Sequence, residues 1–413
     1  MSSPVLAVDF GTSNSAAALL QDGCVRRLRI EGEGETLPTA VFFPDRGPML
    51  IGEAATSALI EGEEGRFMRA LKSVLGTPLL HESRLIGGTR RTLAEVIAAF
   101  LTALRERAEA ETGLTFQRVL SGRPVHFHSL DVARDAKAEA DLRACYHDAG
   151  FSEVTFLPEP EAAALASQGA PGETGLIVDI GGGTSDFTLF TRTASGVEVQ
   201  ASHGIRLGGT DFDHAISLAL AMPELGLGGE LKRTLGEGRL PVPRAIYADL
   251  STWALIPFLY TAEVRRQVAD LLRHAVEPEK IGRLATVIRD ELGHDIAFAV
   301  ERGKIEANKG TGGAVDLGLV EPGLRIPVSV GQMTAALNAQ REGLRAAMYE
   351  TLMQAGTSPA QVDHVILVGG SSLMRMVRDE VQAVCPTARV SQAEAFTAVV
   401  DGLALASEAR INA

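Results

Sequence analysis

Leu176-Ile177-Val178-Asp179 runs into Gly181-Gly182-Gly183-Thr184-Ser185, and Phe187–Phe190 follows as a second apolar run. An apolar strand ending on an acid, a glycine turn with hydroxyls and a returning strand make a β-hairpin. The same grammar stands near the start of the chain, where Val5-Leu6-Ala7-Val8-Asp9 leads into Gly11-Thr12-Ser13-Asn14-Ser15 and then Ala16–Leu20. Asp9 and Asp179 therefore begin equivalent turns. The repeat is far longer than the roughly 20–50 residues of a solenoid unit, so it reads as duplication of a whole domain half, each half owning one hairpin.

Turns of this composition suit a polyphosphate. Backbone N–H groups must point inward, and glycine lets the chain approach without a Cβ clash. Gly11 on one side and Gly181, Gly182 and Gly183 on the other meet that need, while Thr12, Ser13, Thr184 and Ser185 add hydroxyl donors. Asp9 and Asp179 then project toward the same phosphates, and acids beside a triphosphate repel it unless a hydrated Mg²⁺ lies between them. Phosphoryl transfer rests on positioning and charge stabilisation, so a lysine and a water-orienting acid are expected to complete the site. No G-x-x-x-x-G-K-[ST] occurs, which removes the P-loop reading.

The remaining text is organised around these hairpins. Thr92–Thr112 carries apolar residues at helical spacing and stops at Gly113; Arg118–Phe127 reads as a strand; Asp131 to about Ala149 reads as a helix closed by Gly150. Pro158 and Pro160 bracket Glu159 before a small-residue helix, Glu161–Ser167. From Ala215 to about Lys309 the pattern is mostly helical, with Gly226–Gly229 and Gly236–Pro243 as turns. Val365–Val368 is an apolar strand that meets Gly369-Gly370-Ser371-Ser372 and a helix, Met374–Val384, and strand, glycine turn, helix is a nucleotide-fold signature. A last helix is expected over Ala395–Glu408.

The totals set limits on function. The 413 residues, 46% hydrophobic and 22% charged, are enough for more than one substantial core. A net charge of -13, with no basic run, argues against nucleic acid as a partner. No apolar run nears the ~18 residues of a membrane span, and the start has no secretory pattern. Cys24, Cys145 and Cys385 lack metal or disulfide spacing. These features lead to an expectation of a cytoplasmic protein with neither membrane nor nucleic-acid partner.

Taken together, LAVDFGTSNSAAAL (6–19), ETLPTAVFF (35–43), FMRALKSVLG (67–76), PEPEAAALA (158–166), VDIGGGTSDFTLF (178–190), LGGTDFD (207–213), VERGKIEANKG (300–310) and VILVGGSS (365–372) resemble the actin-like ATPases. Within them, the resemblance is to the nucleotide-binding domain of DnaK-type heat-shock chaperones. IYADLSTWALIPFLYT (246–261) looks most like the short YegD-like branch, which lacks the peptide-binding domain. The fold so implied is α/β, with two RNase H-like lobes, each with an inserted subdomain, that close around nucleotide. Residues 1–168 would form the first lobe, with its insert near 35–115, and residues 169–413 the second, with a helical insert near 215–310.

The resemblance also implies an ATP/ADP and Mg²⁺ site, slow ATP hydrolysis, and a protein client or co-chaperone as partner. Asp9, Glu159 and Asp179 would surround the hydrated metal and orient the attacking water. Thr12 and Thr184 would contact the terminal phosphates, with Ser13, Asn14 and Ser185 beside them, and Lys72 would position water and γ-phosphate. Gly208, Gly209 and Thr210 would lie near sugar and phosphates, Glu301 and Lys304 on the ribose side, and Gly369, Gly370 and Ser371 behind the adenosine. Ile305 and Leu373 stand where the family commonly clamps adenine between arginines; aliphatic groups cover a purine face but give up the cation–π share, roughly 1 to 2 kcal/mol. Asn308 could still bond the base. Pro124 and Arg134 match positions that relay nucleotide state toward a linker, and no acidic-apolar linker is read after them.

Plainer readings stand beside these. Lys72 also reads as an ordinary helix-surface lysine, and Glu159 as a helix N-terminal acid. Trp253, Phe258 and Tyr260 read as core. His126 and His128 read as structural residues on a strand, and Glu61, Glu63 and Glu64 as a solvated face. Ser371-Ser372-Leu373-Met374-Arg375 also resembles the adenosine turn of cell-shape filament proteins. An actin-like filament protein, a small-molecule kinase of the same fold and an inert binding module are the alternative functions.

Overall fold

A computed structural model describes residues 4–127, 131–167, 169–194, 196–233, 236–310, 312–392 and 397–411. The chain folds as two compact units. The first comprises Met1–Arg206, Arg345–Leu373 and Val377–Ala413; the second comprises Leu207–Leu344 and Met374–Met376.

The first unit holds two large sheets built to one plan, beside smaller sheets of three and two strands. In one sheet the central strand Val5–Phe10 pairs antiparallel with Asn14–Gln21, which pairs antiparallel with Cys24–Arg27. On its other side the central strand pairs parallel with Arg118–Arg123, and that with Glu153–Pro158. In the second sheet, Thr174–Ile180 is central. Ser185–Thr193 and Gly196–Ile205 follow antiparallel on one side, and His364–Val368 and Arg389–Gln392 parallel on the other. Two antiparallel neighbours come from short turns, and two parallel ones need crossovers. The repeat of grammar around Asp9 and Asp179 is thus a repeat of topology.

The core explains the small residues. Ala7, Ala16, Ala18 and Leu120 of one sheet share a buried cluster with Ile177, Phe190, Ile366 and Val368 of the other. Between them lie Ala162, Ala163 and Ala164 of the helix Glu159–Ala166, and Val399, Val400, Leu403 and Ala404 of the helix Ala398–Ile411. A Cβ added at Gly402 would fall 1.7 Å from the Ala162 carbonyl oxygen, so this approach admits glycine alone. The opposite face of the N-terminal sheet is covered by larger side chains. Phe100, Leu101 and Leu104 of the helix Leu93–Thr112, and Leu142 and Tyr146 of Val132–Asp148, pack on Leu6, Val8 and Phe10. Thr92 and Glu95 form a capping box at the first of these helices, and Gly113 ends it at φ 70°.

The second unit is mostly helical, with Gly209–Ile216, Ala262–His274, Pro278–Arg289 and Gly293–Asn308 as its longer helices and two small hairpins, Glu230–Lys232 with Arg239–Pro241 before the second of these and Gly313–Asp316 with Arg325–Val328 after the last. Several expectations change here. Gly236–Pro243 is more than a turn, because Arg239–Pro241 pairs with Glu230–Lys232. Phe258 is not core: it is 72% exposed, whereas Trp253 packs on Phe298 at 5.0 Å and on His294 at 4.6 Å. In the first unit, the strand expected over Arg118–Phe127 stops at Arg123, since Pro124 has no N–H to continue the ladder. His126 therefore lies past the strand, while His128 is outside the described residues. The small-residue helix starts at Glu159 rather than Glu161, and Pro160 fits its first turn, where no N–H partner is needed. The last helix runs over Ala398–Ile411; Ala395 is outside the described residues. Glu61, Glu63 and Glu64 are exposed, and Cys24, Cys145 and Cys385 are free thiols.

Candidate functional site

Each hairpin turn is made by its glycines. At Gly11 a Cβ would lie 2.2 Å from the Asn14 carbonyl oxygen, so the tight first turn excludes any side chain there. In the second turn the Gly181 N–H donates to the Thr184 carbonyl at 2.9 Å. The two tips face each other within the first unit: a Cβ on Gly182 would stand 2.8 Å from Ser13 Oγ. Gly183, by contrast, has open space where a side chain would be.

Four carboxylates and one ammonium gather behind these tips. Asp9 is the next-to-last residue of the central strand of one sheet, Val5–Phe10, and Asp179 that of the other, Thr174–Ile180. Glu159 opens its helix directly over Gly122, where a Cβ would come 3.0 Å from Glu159 Cγ. Lys72, 87 residues earlier, sits on the short 3₁₀ turn Leu71–Val74, and its Nζ donates to Glu159 Oε1 at 2.5 Å. Its side chain is 9% exposed, so the reading of Lys72 as a helix-surface lysine is corrected. Asp186 completes the group. It stands opposite Asp179 in the antiparallel register and leans over Gly204, where a Cβ would lie 2.7 Å from Asp186 Oδ1.

The electrostatics follow from crowding acids where water is scarce. Burial, then the Glu159 charge, pushes Asp9 up to about 7, with Lys72 pulling the other way. Burial and Glu159 likewise push Asp186 up to about 7. Asp179 is raised well above the carboxylate range by burial, then by Glu159, Asp186 and Asp9. Burial alone would lower the Lys72 ammonium, but Glu159, Asp9 and Asp179 together hold it charged. A single lysine leaves this cluster with excess negative charge, which a divalent cation would relieve. The donors are hard oxygens, as magnesium prefers. Among the described residues no three His, Cys, Asp or Glu side chains converge closely enough to grip an ion directly.

Sequence reasoning passed over Asp186, although it lies within the quoted segment 178–190. The signal was available, because antiparallel pairing across a short turn sets Asp186 directly opposite Asp179. Gly122 was also missed, since its role appears only when Glu159 arrives from a distant segment.

Other expected residues are placed as follows. Gly369, at φ 81°, packs on the second hairpin: a Cβ there would meet the Ile180 carbonyl at 2.5 Å and Asp179 Oδ1 at 2.7 Å. Gly370, Ser371 and Leu373 follow on a 3₁₀ turn. Thr12, Asn14, Thr184 and Ser185 lie in or beside the two turns. Gly208, Gly209 and Thr210 belong to the second unit, where the Gly208 N–H donates to Asp211 Oδ2 at 2.8 Å. Glu301, Lys304, Ile305 and Asn308 share one helix there. Lys304 pairs with Asp213 at 2.7 Å, and Asn308 Oδ1 accepts from the Arg375 N–H at 2.7 Å. Ile305 is 46% exposed and Leu373 45%.

Two sheets sharing a five-strand order, each offering a glycine hairpin and an acid to one cluster, are consistent with the fold that the actin-like ATPase resemblance implied. The comparisons with known proteins point the same way. The family model "Hsp70 protein" matches residues 82–222, which include Gly122, Glu159, Asp179, Asp186 and Gly208-Gly209-Thr210. Chaperone protein DnaK of Endomicrobium trichonymphae is 32% identical over 222 residues, covering 51% of this chain and 34% of the relative. DnaK of Methanothermobacter thermautotrophicus is 28% identical over 386 residues, 92% of this chain and 55% of the relative. DnaK of Thermosipho melanesiensis is 26% identical over 414 residues, 98% and 60%. The chain thus spans about one third to three fifths of the length of these curated relatives. These matches show that the chain is similar to Hsp70/DnaK proteins over part of their length. No helix among the described residues is long and apolar enough to cross a membrane.

Proposed function

We propose that this chain is a chaperone-like Mg-ATPase, binding ATP at the two opposed hairpins and hydrolysing it slowly at the acid cluster behind them. The observation that carries this reading is the meeting of Gly182 with Ser13 in front of Asp9, Asp179, Asp186 and the Lys72–Glu159 pair. The similarity to DnaK chaperones supports ATP as the nucleotide and a protein client or co-chaperone as partner.

Asp9, Glu159 and Asp179 would hold hydrated magnesium through its waters, and the metal would supply neutralisation of phosphate charge. The chain's own residues do the rest. N–H groups of the glycine turns and the hydroxyls of Thr12, Ser13, Thr184 and Ser185 bind phosphate oxygens. Lys72, held charged by Glu159, faces the charge that develops on the transferring phosphoryl group. Asp179 accepts a hydrogen bond from the attacking water and orients it. Turnover is slow because positioning, rather than a strong base, supplies the acceleration.

Calorimetry with ATP and Mg²⁺, followed by phosphate release under single turnover, tests this. Saturable Mg-dependent heat and slow phosphate release are expected. An absence of heat at millimolar nucleotide would leave an inert module; sedimentable polymer with ATP would favour a filament protein; phosphate passed to an added small molecule would make it a kinase.

A further inference from the structure

Lys72 rides on a turn too short to hold itself in place. A 3₁₀ turn such as Leu71–Val74 has few internal bonds, and Ala70 before it takes the left-handed conformation at φ 57°, which alanine adopts only under constraint. Leu71 and Leu75 are buried and pin the segment on the core. Beyond them the Gly76 N–H, at φ 74°, donates to Asp141 Oδ2 at 3.0 Å. Asp141 belongs to another element, the helix Val132–Asp148, and is 8% exposed.

The Asp141 carboxylate is itself fixed. Lys137 Nζ reaches its two oxygens at 3.0 and 2.9 Å, and His81 Nε2 stands 3.0 Å from Oδ1. Burial opposes the charge, but bonds from Lys137, Gly76 and His81 outweigh it and hold the group below the usual carboxylate range. A charged acceptor at a buried amide is a strong, directional tie. The helix that carries it also packs Leu142 and Tyr146 into the core, so the tie ends on a rigid element.

We propose that Asp141 is the positioning residue for Lys72: by bonding the Gly76 amide it clamps the far end of the Lys72 turn and keeps Nζ against Glu159. Its catalytic meaning rests on the ATPase reading above, but the placement of Lys72 can be measured without nucleotide. In the nucleotide-free full chain, a pulse of a water-soluble acetylating ester, read residue by residue by mass spectrometry, reports how often Lys72 leaves its pair. Asp141→Ala is expected to acetylate at Lys72 at least about fivefold faster than wild type, with Lys304, a second buried paired lysine, unchanged. Asp141→Asn keeps a carbonyl for Gly76 and stays within about twofold. In steady-state ATP hydrolysis Asp141→Ala lowers kcat roughly tenfold and moves KM less than about twofold. Should Asp141→Ala fold poorly, Asp141→Ser, whose hydroxyl is too short to reach, carries the same expectations.

Equal Lys72 labelling in Asp141→Ala and wild type overturns the proposal, as does a rise in Lys304 labelling that keeps step with Lys72. If wild type shows no hydrolysis, or Lys72→Ala hydrolyses as well as wild type, the ATPase reading fails on its own. The acetylation result then still decides the clamp.

Discussion

Asp179 and Asp186 stand directly opposite each other in the antiparallel ladder of the second hairpin. Burial, then the Glu159 charge, raises both carboxyls above the usual carboxylate range, and the facing Asp186 adds to the rise at Asp179. Folding raises the proton affinity of Asp186 from 3.8 to about 7, through burial first and the Glu159 charge second. Between those values the folded state binds more protons than the unfolded one, so this contribution to stability is whole below the lower value and is lost as pH rises through about 7. Without nucleotide or metal, Asp186→Asn is expected to melt roughly 2–4 °C above wild type at pH 8 and to match it near pH 4. Calorimetric scans across that range check it, and a gap that widens toward acid would refute it.

Magnesium should compensate the same charge. At pH 8, added Mg²⁺ is expected to raise the melting midpoint of wild type more than that of Asp9→Asn or Asp179→Asn, in proportion to binding. Thermal scans against metal concentration, with calcium as the comparison ion, provide the measurement. Identical shifts in all three proteins would count against these acids as the metal's partners.

Removing Lys72 uncovers two effects. Lys72→Ala is expected to slow phosphate release by about 100-fold while nucleotide affinity changes by less than about threefold, since the ammonium acts on developing charge. It also leaves Glu159 without its partner, so a lower melting midpoint accompanies the loss. Single-turnover kinetics beside calorimetry separate the two, and a purely structural lysine would show the second without the first.

The contact between the hairpin tips can be probed from either side. Gly182→Ala brings a methyl group to 2.8 Å from Ser13 Oγ and is expected to weaken Mg-ATP binding about tenfold, on the usual scale of small overpacking costs. Ser13→Ala removes the struck atom, so the double variant should bind better than Gly182→Ala alone. Additive losses in a titration of the three variants would mean that the tips do not meet.

Gly402→Ala tests the alanine-rich core. A Cβ 1.7 Å from the Ala162 carbonyl forces apart the helices Glu159–Ala166 and Ala398–Ile411. A loss of about 1–3 kcal/mol is expected, visible as a lower melting midpoint and as weaker Mg-ATP binding, because Glu159 starts the displaced helix. Unchanged behaviour would show that the crossing has slack.

The two hairpins were legible from residue order alone, because strand alternation and glycine turns are local and need only neighbouring residues to be recognised. Asp9 and Asp179 followed, being the acids at the ends of the apolar runs that enter those turns. The helix Leu93–Thr112 was equally readable from its period, its capping Thr92 and its closing Gly113. What no local pattern could supply was distance. The ion pair of Lys72 with Glu159, the seat of Glu159 on Gly122, and the hold of Asp141 on Gly76 each join segments that meet only when helices and sheets have packed. Phe258 was misjudged for the same reason, since an apolar residue's burial depends on what folds over it. Residue order thus set the phosphate-binding turns, and tertiary packing alone decided which charges stand behind them, because electrostatic coupling acts through space and is blind to position along the chain.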